Sequence, residues 1–110
     1  MTLLSDRSQS AARIARILKL VRAIPEGFVQ TYGDIDPQAP RLVGHILATT
    51  SADVPWHRVV RADGSAPQGK RQLQRLRKEG VPIRRERIDM TLARWPRGAR
   101  LVRAKPPALP

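Results

Sequence analysis

The stretch "PRLVGHILATTSADVPWHRVVRADG", residues 40–64, decides the fold because it joins a helix to a short strand through one loop. Pro40 suits the first turn of a helix, and the apolar residues after it repeat with helical spacing. The residues from His57 onward predict a strand that ends at an Asp63–Gly64 turn. Trp56 stands between this helix and this strand, in a segment that looks built to hold one residue in place.

A second amphipathic helix precedes this stretch. Ser8 or Ser10 can cap it, and Pro25 and Gly27 end it. Its apolar positions follow helical spacing: Ile14, Ile17, Leu18 and Val21. Between the two helices, "FVQTY", residues 28–32, alternates as a short strand does.

The chain after residue 64 divides into a helix and a basic segment. "KRQLQRLRKEG", residues 70–80, predicts a helix with Leu73 and Leu76 inward and Gly80 at its end. From Met90 onward there are five basic residues, four prolines and no acid. We therefore expect one domain over residues 1–88 and a disordered, proline-rich tail over residues 89–110. The predicted fold is mainly α with a small β wing, a winged helix-turn-helix.

Charge is the strongest signal in the composition. The chain holds 21 Lys and Arg against 9 Asp and Glu, a net charge of +12. Residues 70–110 hold 13 basic and three acidic side chains, a net of +10, whereas residues 1–69 carry a net of only +2. Such a basic block is typical of contact with a polyanion, most often nucleic acid, although a merely solubilising surface remains an alternative.

Composition also excludes several classes of protein. The chain has no cysteine, which removes disulfides, thiolate metal sites and thiol nucleophiles together. With His45 and His57 as the only histidines, we expect no metal and no cofactor. The sequence has neither an apolar run of membrane-spanning length nor a secretory signal, so we expect a cytoplasmic protein that does not contact membranes. No feature of the sequence points to an obligate oligomer, and we expect a monomer.

Four motifs, in the order "IPEGFVQTYGDI", "PRLVGHIL", "PWHRVVRADG" and "LRKEG", cover roughly residues 14–88. Together they resemble the DNA-binding domain of the O6-alkylguanine-DNA alkyltransferases. In that family the third motif is Pro-Cys-His-Arg-Val, and its cysteine accepts the alkyl group. Trp56 takes the cysteine's place here, which is the mark of the alkyltransferase-like proteins.

The resemblance implies a set of DNA-binding and lesion-binding residues. Tyr32 matches a tyrosine that presses on the phosphate beside the target and helps to rotate the nucleotide out of the duplex. Arg41 matches an arginine finger that fills the gap left behind, and Gly44 lets the recognition helix approach the minor groove. The other residues of the predicted lesion site surround or include the indole: Pro55, Trp56, His57, Arg58 and Val59. His57 and Glu79 match the pair that activates the cysteine in the repair enzymes.

The chemistry of Trp56 agrees with recognition without reaction. The lone pair of the indole nitrogen belongs to the ring, so the group is only a donor and cannot accept an alkyl group as a thiolate does. Aromatic stacking on an extruded base can, however, return roughly 1–3 kcal/mol. The alternative is an ordinary core tryptophan in a decayed site; Tyr32 and Arg41 likewise could be a half-buried tyrosine and a solvated cation.

Three departures from the family pattern affect the expected site. Only eight residues separate Tyr32 from Arg41, and two of them are Pro37 and Pro40, so we expect the first helix of the helix-turn-helix to be cut to a turn. Thr50 stands near the position of a family asparagine that ties the active-site turn. The stretch "GSAPQGKRQ" is shorter than the loop that closes the family's pocket.

The function that the resemblance implies is a non-enzymatic sensor of DNA damage. It would bind duplex DNA that contains O6-alkylguanine, flip the base, and hand the lesion to nucleotide excision repair proteins. Two alternatives remain open. One is a basic winged-helix protein that binds duplex DNA for regulation or packaging and has no damage pocket; the other is an enzyme that activates water through His57 and Glu79.

Overall fold

The structure is a computed structural model that describes residues 3–96, with side chains from Ser10 onward. The helices are α1 (Leu3–Arg22), α2 (Tyr32–Ile35), α3 (Pro40–Thr49), α4 (Lys70–Lys78) and α5 (Met90–Ala93). The strands are β1 (Gln30–Thr31), β2 (Val59–Val60), β3 (Ile83–Arg84) and β4 (Arg87–Ile88). A single 3-10 turn, Trp56–Arg58, precedes β2. Along these described residues, no helix is long and apolar enough to cross a membrane.

The predicted fold class, mainly helical with a small β part, is confirmed, and so is the shortened first helix of the helix-turn-helix. α2 has four residues, a single turn. Thr31 and Asp34 form a capping box at its start, in which each side chain bonds the other residue's backbone N–H at 3.0 Å. A single turn cannot sustain itself in isolation, so the cap and its surroundings must hold it in place.

The two small sheets have different connections. β1 and β2 pair in parallel, with Gln30 opposite Val59 and Thr31 opposite Val60. The expected wing is therefore not made by these two segments. It is the antiparallel hairpin of β3 and β4, which sequence analysis did not predict.

The hairpin escaped prediction because its turn lacks the usual residues. Two-residue hairpin turns of this kind favour Asn-Gly, because both central residues need a positive φ. Here Arg85 and Glu86 fill those positions, with φ of 51° and 66°.

The core is divided by β2 into two clusters. Successive strand residues point to opposite faces, and Val59 and Val60, both without solvent exposure, pack into different clusters. The first cluster lies between α1, α2 and α3 and includes Ile17, Val21, Ile24, Ile35, Val43, Ile46, Val54 and Val59. The second lies under α4 and the hairpin and includes Val29, Val60, Leu73, Leu76, Val81, Ile88 and Ala93. The 3-10 turn Trp56–Arg58, which leads directly into β2, is thus anchored in both clusters.

The folded part of the chain continues beyond Ile88, where the sequence analysis placed the start of the tail. Asp89 caps α5 by accepting hydrogen bonds from the backbone N–H groups of Thr91 and Leu92. Arg94 then forms a parallel bridge with Val29, and the Trp95 ring packs edge-on against Phe28 at 5.1 Å between centroids. The predicted tail thus begins no earlier than residue 97, and residues 97–110 lie outside the described residues.

Candidate nucleic-acid interface

The 3-10 turn Trp56–Arg58, named the Trp56 turn below, presents an indole on a hydrogen-bonded backbone. The Trp56 N–H donates to the Val54 carbonyl at 2.7 Å, and the Arg58 N–H donates to the Pro55 carbonyl at 3.0 Å. Pro55, with φ of −77°, begins the turn. The Trp56 side chain is only partly buried, because one part of it borders a cavity.

The cavity has a volume of about 290 Å³ and opens to solvent. This volume is just below the roughly 300–1,000 Å³ of typical ligand pockets. It lies between α3, the Trp56 turn and the start of α4, and its lining mixes aromatic, small and polar side chains. The lining residues are Tyr32, Gly44, Leu47, Ala48, Trp56, Gln68, Arg71 and Gln72.

Two arginines of α4 contact the Trp56 ring. The Cζ atom of Arg71 lies 4.8 Å from the ring centroid and that of Arg75 lies 5.3 Å from it. Both distances are within the range of cation–π attraction, about 6 Å. The pocket therefore has an aromatic wall with positive charge beside it, a combination suited to an electron-rich aromatic ligand next to phosphates.

A largely buried ionic cluster of His57, Arg58 and Glu79 supports the Trp56 turn from behind. His57 Nε2 lies 2.7 Å from Glu79 Oε2, and Arg58 donates to both Glu79 oxygens at 2.9 and 2.8 Å. Arg58 also donates to the Ile24 carbonyl at 2.9 Å, which ties the cluster to the end of α1. His57 Nδ1 is buried and has no hydrogen-bond partner among the described residues.

The cluster holds Glu79 in its charged form. Burial alone would raise the pKa of this carboxyl group, but the hydrogen bonds and charges of Arg58 and His57 outweigh it and lower the pKa to about 2. A carboxylate with so low a pKa is a weak proton acceptor near neutral pH.

Gln72 joins the turn to the loop before α4. Its side-chain amide donates to the His57 and Val59 carbonyls at 3.0 and 2.9 Å, and its oxygen accepts from the Gln68 N–H at 3.0 Å. Only 1% of Gln72 is exposed. Gln72 therefore fixes the Trp56 turn relative to the loop before α4, and these two segments form two walls of the pocket.

The helix-turn-helix contributes Tyr32 and Gly44 to the pocket. A β-carbon at Gly44 would lie 3.6 Å from Tyr32 Cε1, an ordinary contact distance, so α3 packs closely on the tyrosine ring. Burial raises the pKa of Tyr32, while the charge of Arg61 opposes that rise. Arg41, in the first turn of α3, is exposed.

Comparison with known proteins agrees with this geometry. Residues 13–81 match the family described as "6-O-methylguanine DNA methyltransferase, DNA binding domain". The "DNA base-flipping protein" of Escherichia coli K12 is 40% identical over 92 residues, covering 73% of this chain and 71% of the relative. The chain belongs to the alkyltransferase-like family.

Solved structures of S. pombe Atl1 share the fold of this alkyltransferase-like chain. Atl1 bound to damaged DNA containing O6-carboxymethylguanine superposes with a TM-score of 0.68 and 27% identity, covering 77% of this chain and 95% of Atl1. A second structure, of the S. pombe protein bound to DNA, gives a TM-score of 0.62 and 31% identity, covering 74% and 93% of the two chains. The winged helix-turn-helix is thus shared over most of the described residues.

The alkyltransferase-like chain brings only part of the predicted site together around the cavity. Of the residues predicted from the sequence, Tyr32, Gly44 and Trp56 line it. Pro55 and Arg41 do not, although Pro55 begins the turn and Arg41 is open to a ligand that approaches from solvent.

Three other predicted site residues lie behind the pocket. His57 and Arg58 point to Glu79, and Val59 pairs with Gln30 in the sheet and has no exposed surface. Val59 stays a predicted lesion-binding residue, although strand pairing turns its side chain into the core. His57, 93% buried, and Arg58 support the turn.

Sequence analysis missed the wall of the cavity formed by α4 and the loop before it. Gln68, Arg71 and Gln72 line the pocket, and Arg75 lies against Trp56. The spacing of Arg71 and Arg75, one helical turn apart on α4, was a signal that could have placed them on one face. Within the described part of the chain, no group of potential ligand side chains could hold a metal ion.

Proposed function

We propose that this chain is a sensor of alkylated DNA that binds without catalysing a reaction. It holds an everted O6-alkylguanine against Trp56, leaves the base unchanged, and stays bound. The observation that carries the proposal is the position of Trp56: it forms a wall of an open cavity, where the alkyltransferase family has its nucleophile, while His57 and Glu79 remain in contact at 2.7 Å.

The electrostatics and the relatives support duplex DNA as the partner. The described surface of α4 alone carries five basic residues, Lys70, Arg71, Arg75, Arg77 and Lys78, and Arg71 and Arg75 of these lie next to the cavity. The E. coli relative is named for base flipping, and Atl1 was solved with DNA that contains an O6-alkylated guanine. Eversion of a nucleotide costs a few kcal/mol, which stacking on an indole and insertion of Arg41 into the duplex would offset.

We further propose that the bound complex is passed to nucleotide excision repair, because a sensor without an acceptor group cannot clear the lesion itself. The same proposal places the protein in the cytoplasm, with the nucleoid.

Two alternative functions fit the structure less well. A protein that binds duplex DNA for regulation or packaging would explain the basic charge equally well, but it gives no reason for an aromatic cavity. Hydrolysis through His57 is disfavoured because His57 is 93% buried and does not line the cavity where a substrate would lie.

The proposal is tested by titrating the protein with two duplexes that differ at one base, O6-methylguanine or guanine, at fixed salt. The DNA is recovered afterwards and its bases are analysed by mass spectrometry. We expect tighter binding of the O6-methylguanine duplex and unchanged bases after release. Equal binding of the two duplexes would support the regulatory alternative, and loss of the methyl group would support an enzyme.

A further inference from the structure

The one-turn helix α2 is held by two arginines that come from opposite ends of the described chain. Arg13 of α1 donates to both oxygens of Asp36 at 2.8 and 2.9 Å. Arg94, which follows α5, donates to both oxygens of Asp34 at 3.0 and 2.5 Å. Such forked pairs fix geometry better than a single contact between point charges.

Both carboxylates are buried although both arginines reach them from the surface. Asp34 and Asp36 expose only 5% and 4% of their side chains, whereas Arg94 and Arg13 expose 52% and 33%. A buried carboxylate without a partner is costly, so each aspartate depends on its arginine. Burial would raise the pKa of Asp34, but the Arg94 pair and the Thr31 hydrogen bonds outweigh it and lower that pKa.

The aspartates lie where they control Tyr32. Tyr32 is the first residue of α2, directly after Thr31, whose backbone N–H donates to Asp34. At the other end of the turn, the backbone N–H of Asp36 donates to the Tyr32 carbonyl at 3.1 Å. The two ion pairs therefore act on the two ends of the segment that carries the tyrosine.

The Arg94 pair is part of a larger attachment of the segment Ala93–Pro96. The Val29 N–H donates to the Ala93 carbonyl at 3.0 Å, and the Trp95 N–H donates to the Val29 carbonyl at 2.8 Å. Gln30, next to Thr31, donates its side-chain amide to the Trp95 and Pro96 carbonyls at 3.0 and 3.3 Å. This segment thus extends β1 on the side away from β2 and brings Arg94 to Asp34.

We propose that Arg94 and Arg13 are positioning residues for lesion recognition, which set the place of Tyr32 and of the attached helix α3 through Asp34 and Asp36. The segment Ala93–Pro96 then belongs to the DNA-binding domain, because it carries Arg94 to its contact with Asp34. This inference rests on the proposed function for its effect on DNA, while its effect on Tyr32 can be measured without DNA.

The test uses the variants Arg94→Ala and Arg94→Lys, with Arg84→Ala as a control that removes an exposed arginine of β3. Tyr32 is the only tyrosine of the chain, so alkaline titration of absorbance near 295 nm reports its phenol alone. We expect both Arg94 variants to titrate closer to pH 10, because the ring loses part of its burial, and Arg84→Ala to titrate as the parent does. Lysine keeps the charge but not the forked contact, so Arg94→Lys separates geometry from charge.

The second readout is the ratio of affinities for O6-methylguanine and guanine duplexes. Because Arg94 acts on the pocket through Asp34 and Tyr32, we expect the ratio to fall about tenfold in Arg94→Ala and to stay unchanged in Arg84→Ala. If Arg94→Ala does not fold, as judged by circular dichroism, Arg94→Lys is read in its place.

Two results would overturn the proposal. The first is a folded Arg94 variant with the parent's Tyr32 titration and affinity ratio. The second is a lost affinity ratio with an unchanged Tyr32 titration, which would mean that Arg94 contacts DNA directly. A parent chain without lesion preference would refute the proposed function, whereas the titration would still decide the role of Arg94.

Discussion

The Trp56 turn and the helix α2 are both short, but they are held in different ways. The turn is fixed from inside, by Glu79 and Gln72, which are themselves nearly buried and belong to α4 or its end. Helix α2 is fixed from outside, by Arg13 and Arg94, which are 23 and 60 residues away from their partners in the chain. The Trp56 turn is thus held by side chains packed behind it, whereas the position of helix α2 depends on two ion pairs whose arginines are partly exposed.

This comparison predicts different responses to substitution. Changes at the turn should act on stability or on lesion selectivity, because the turn holds the core and the pocket together. Changes at the helix-turn-helix should act on DNA binding while the core remains folded. Four substitutions test this division, and they follow in order of expected effect.

Glu79→Gln should destabilise the fold most strongly. In the parent chain, the pKa of the Glu79 carboxyl group is lowered from 4.5 to about 2. The stabilisation by the Glu79 charge is therefore fully present above pH 4.5 and is lost as the pH falls through 2. A shift of this size corresponds to on the order of 3 kcal/mol at neutral pH. Urea unfolding across pH 2–7 should show a difference between parent and variant that shrinks towards low pH.

Glu86→Gln is the matched control for this measurement. The Glu86 side chain is 65% exposed and lies 3.5 Å from Arg77, an exposed pair of the kind that contributes little. A Glu79→Gln variant as stable as Glu86→Gln at neutral pH would show that the buried cluster does not hold the turn.

Trp56→Ala should remove the preference for the damaged base. Stacking of a base on an aromatic ring is worth roughly 1–3 kcal/mol, and the substitution removes the ring that lines the cavity. Affinity for an undamaged duplex should change little, because phosphate contacts supply it. Trp56→Phe, which keeps a ring, should retain most of the preference; equal preference in parent and Trp56→Ala would exclude the indole from recognition.

Arg41→Ala should weaken binding of the O6-methylguanine duplex roughly tenfold, which is within the range expected for an arginine that contacts bases. The side chain is exposed at the start of α3, so the melting temperature should not change. Arg16→Ala, which removes an exposed arginine of α1, controls for the loss of one charge. Identical affinities for the two variants would contradict the assignment of Arg41 as the residue that fills the gap in the duplex.

Gly44→Ala should have the smallest effect, and opposite signs in two assays. Alanine stabilises a helix interior relative to glycine by roughly 0.5–1 kcal/mol, and the added carbon would lie at contact distance, 3.6 Å, from Tyr32. Thermal unfolding should therefore shift upward slightly. Duplex binding should weaken if α3 approaches the groove closely, and unchanged binding would show that Gly44 serves only the packing of Tyr32.

The sequence was sufficient for α3 and α4, for the single turn of α2 and for the chemistry of Trp56. It missed α5 and placed the start of α1 at Ser8 or Ser10, whereas that helix begins at Leu3. Pro40 and the apolar spacing after it predicted α3, and the short distance between Tyr32 and Arg41 predicted a one-turn α2. These features are local, so periodicity and proline positions define them directly.

What could not be predicted either lacks a local sequence signal or depends on pairing between distant residues. The β3–β4 hairpin turns through Arg85 and Glu86, which carry no turn signal, and the segment around Arg94 reads as a basic tail until its partner Asp34 is known. The wall of the pocket formed by Arg71 and Gln72 was likewise hidden, because the basic residues of α4 were read as phosphate contacts. Charge composition indicates a polyanion partner but does not say which arginines bind within the protein.

A fluorescence measurement can show whether the damaged base leaves the stack when the protein binds. A duplex carrying 2-aminopurine next to O6-methylguanine reports this, because 2-aminopurine fluoresces more strongly when its neighbour is removed. We predict that saturating protein raises the emission with the O6-methylguanine duplex, and that Trp56→Ala at saturation gives a smaller rise. Emission that stays unchanged while the protein is fully bound would show that the protein binds the lesion without everting it.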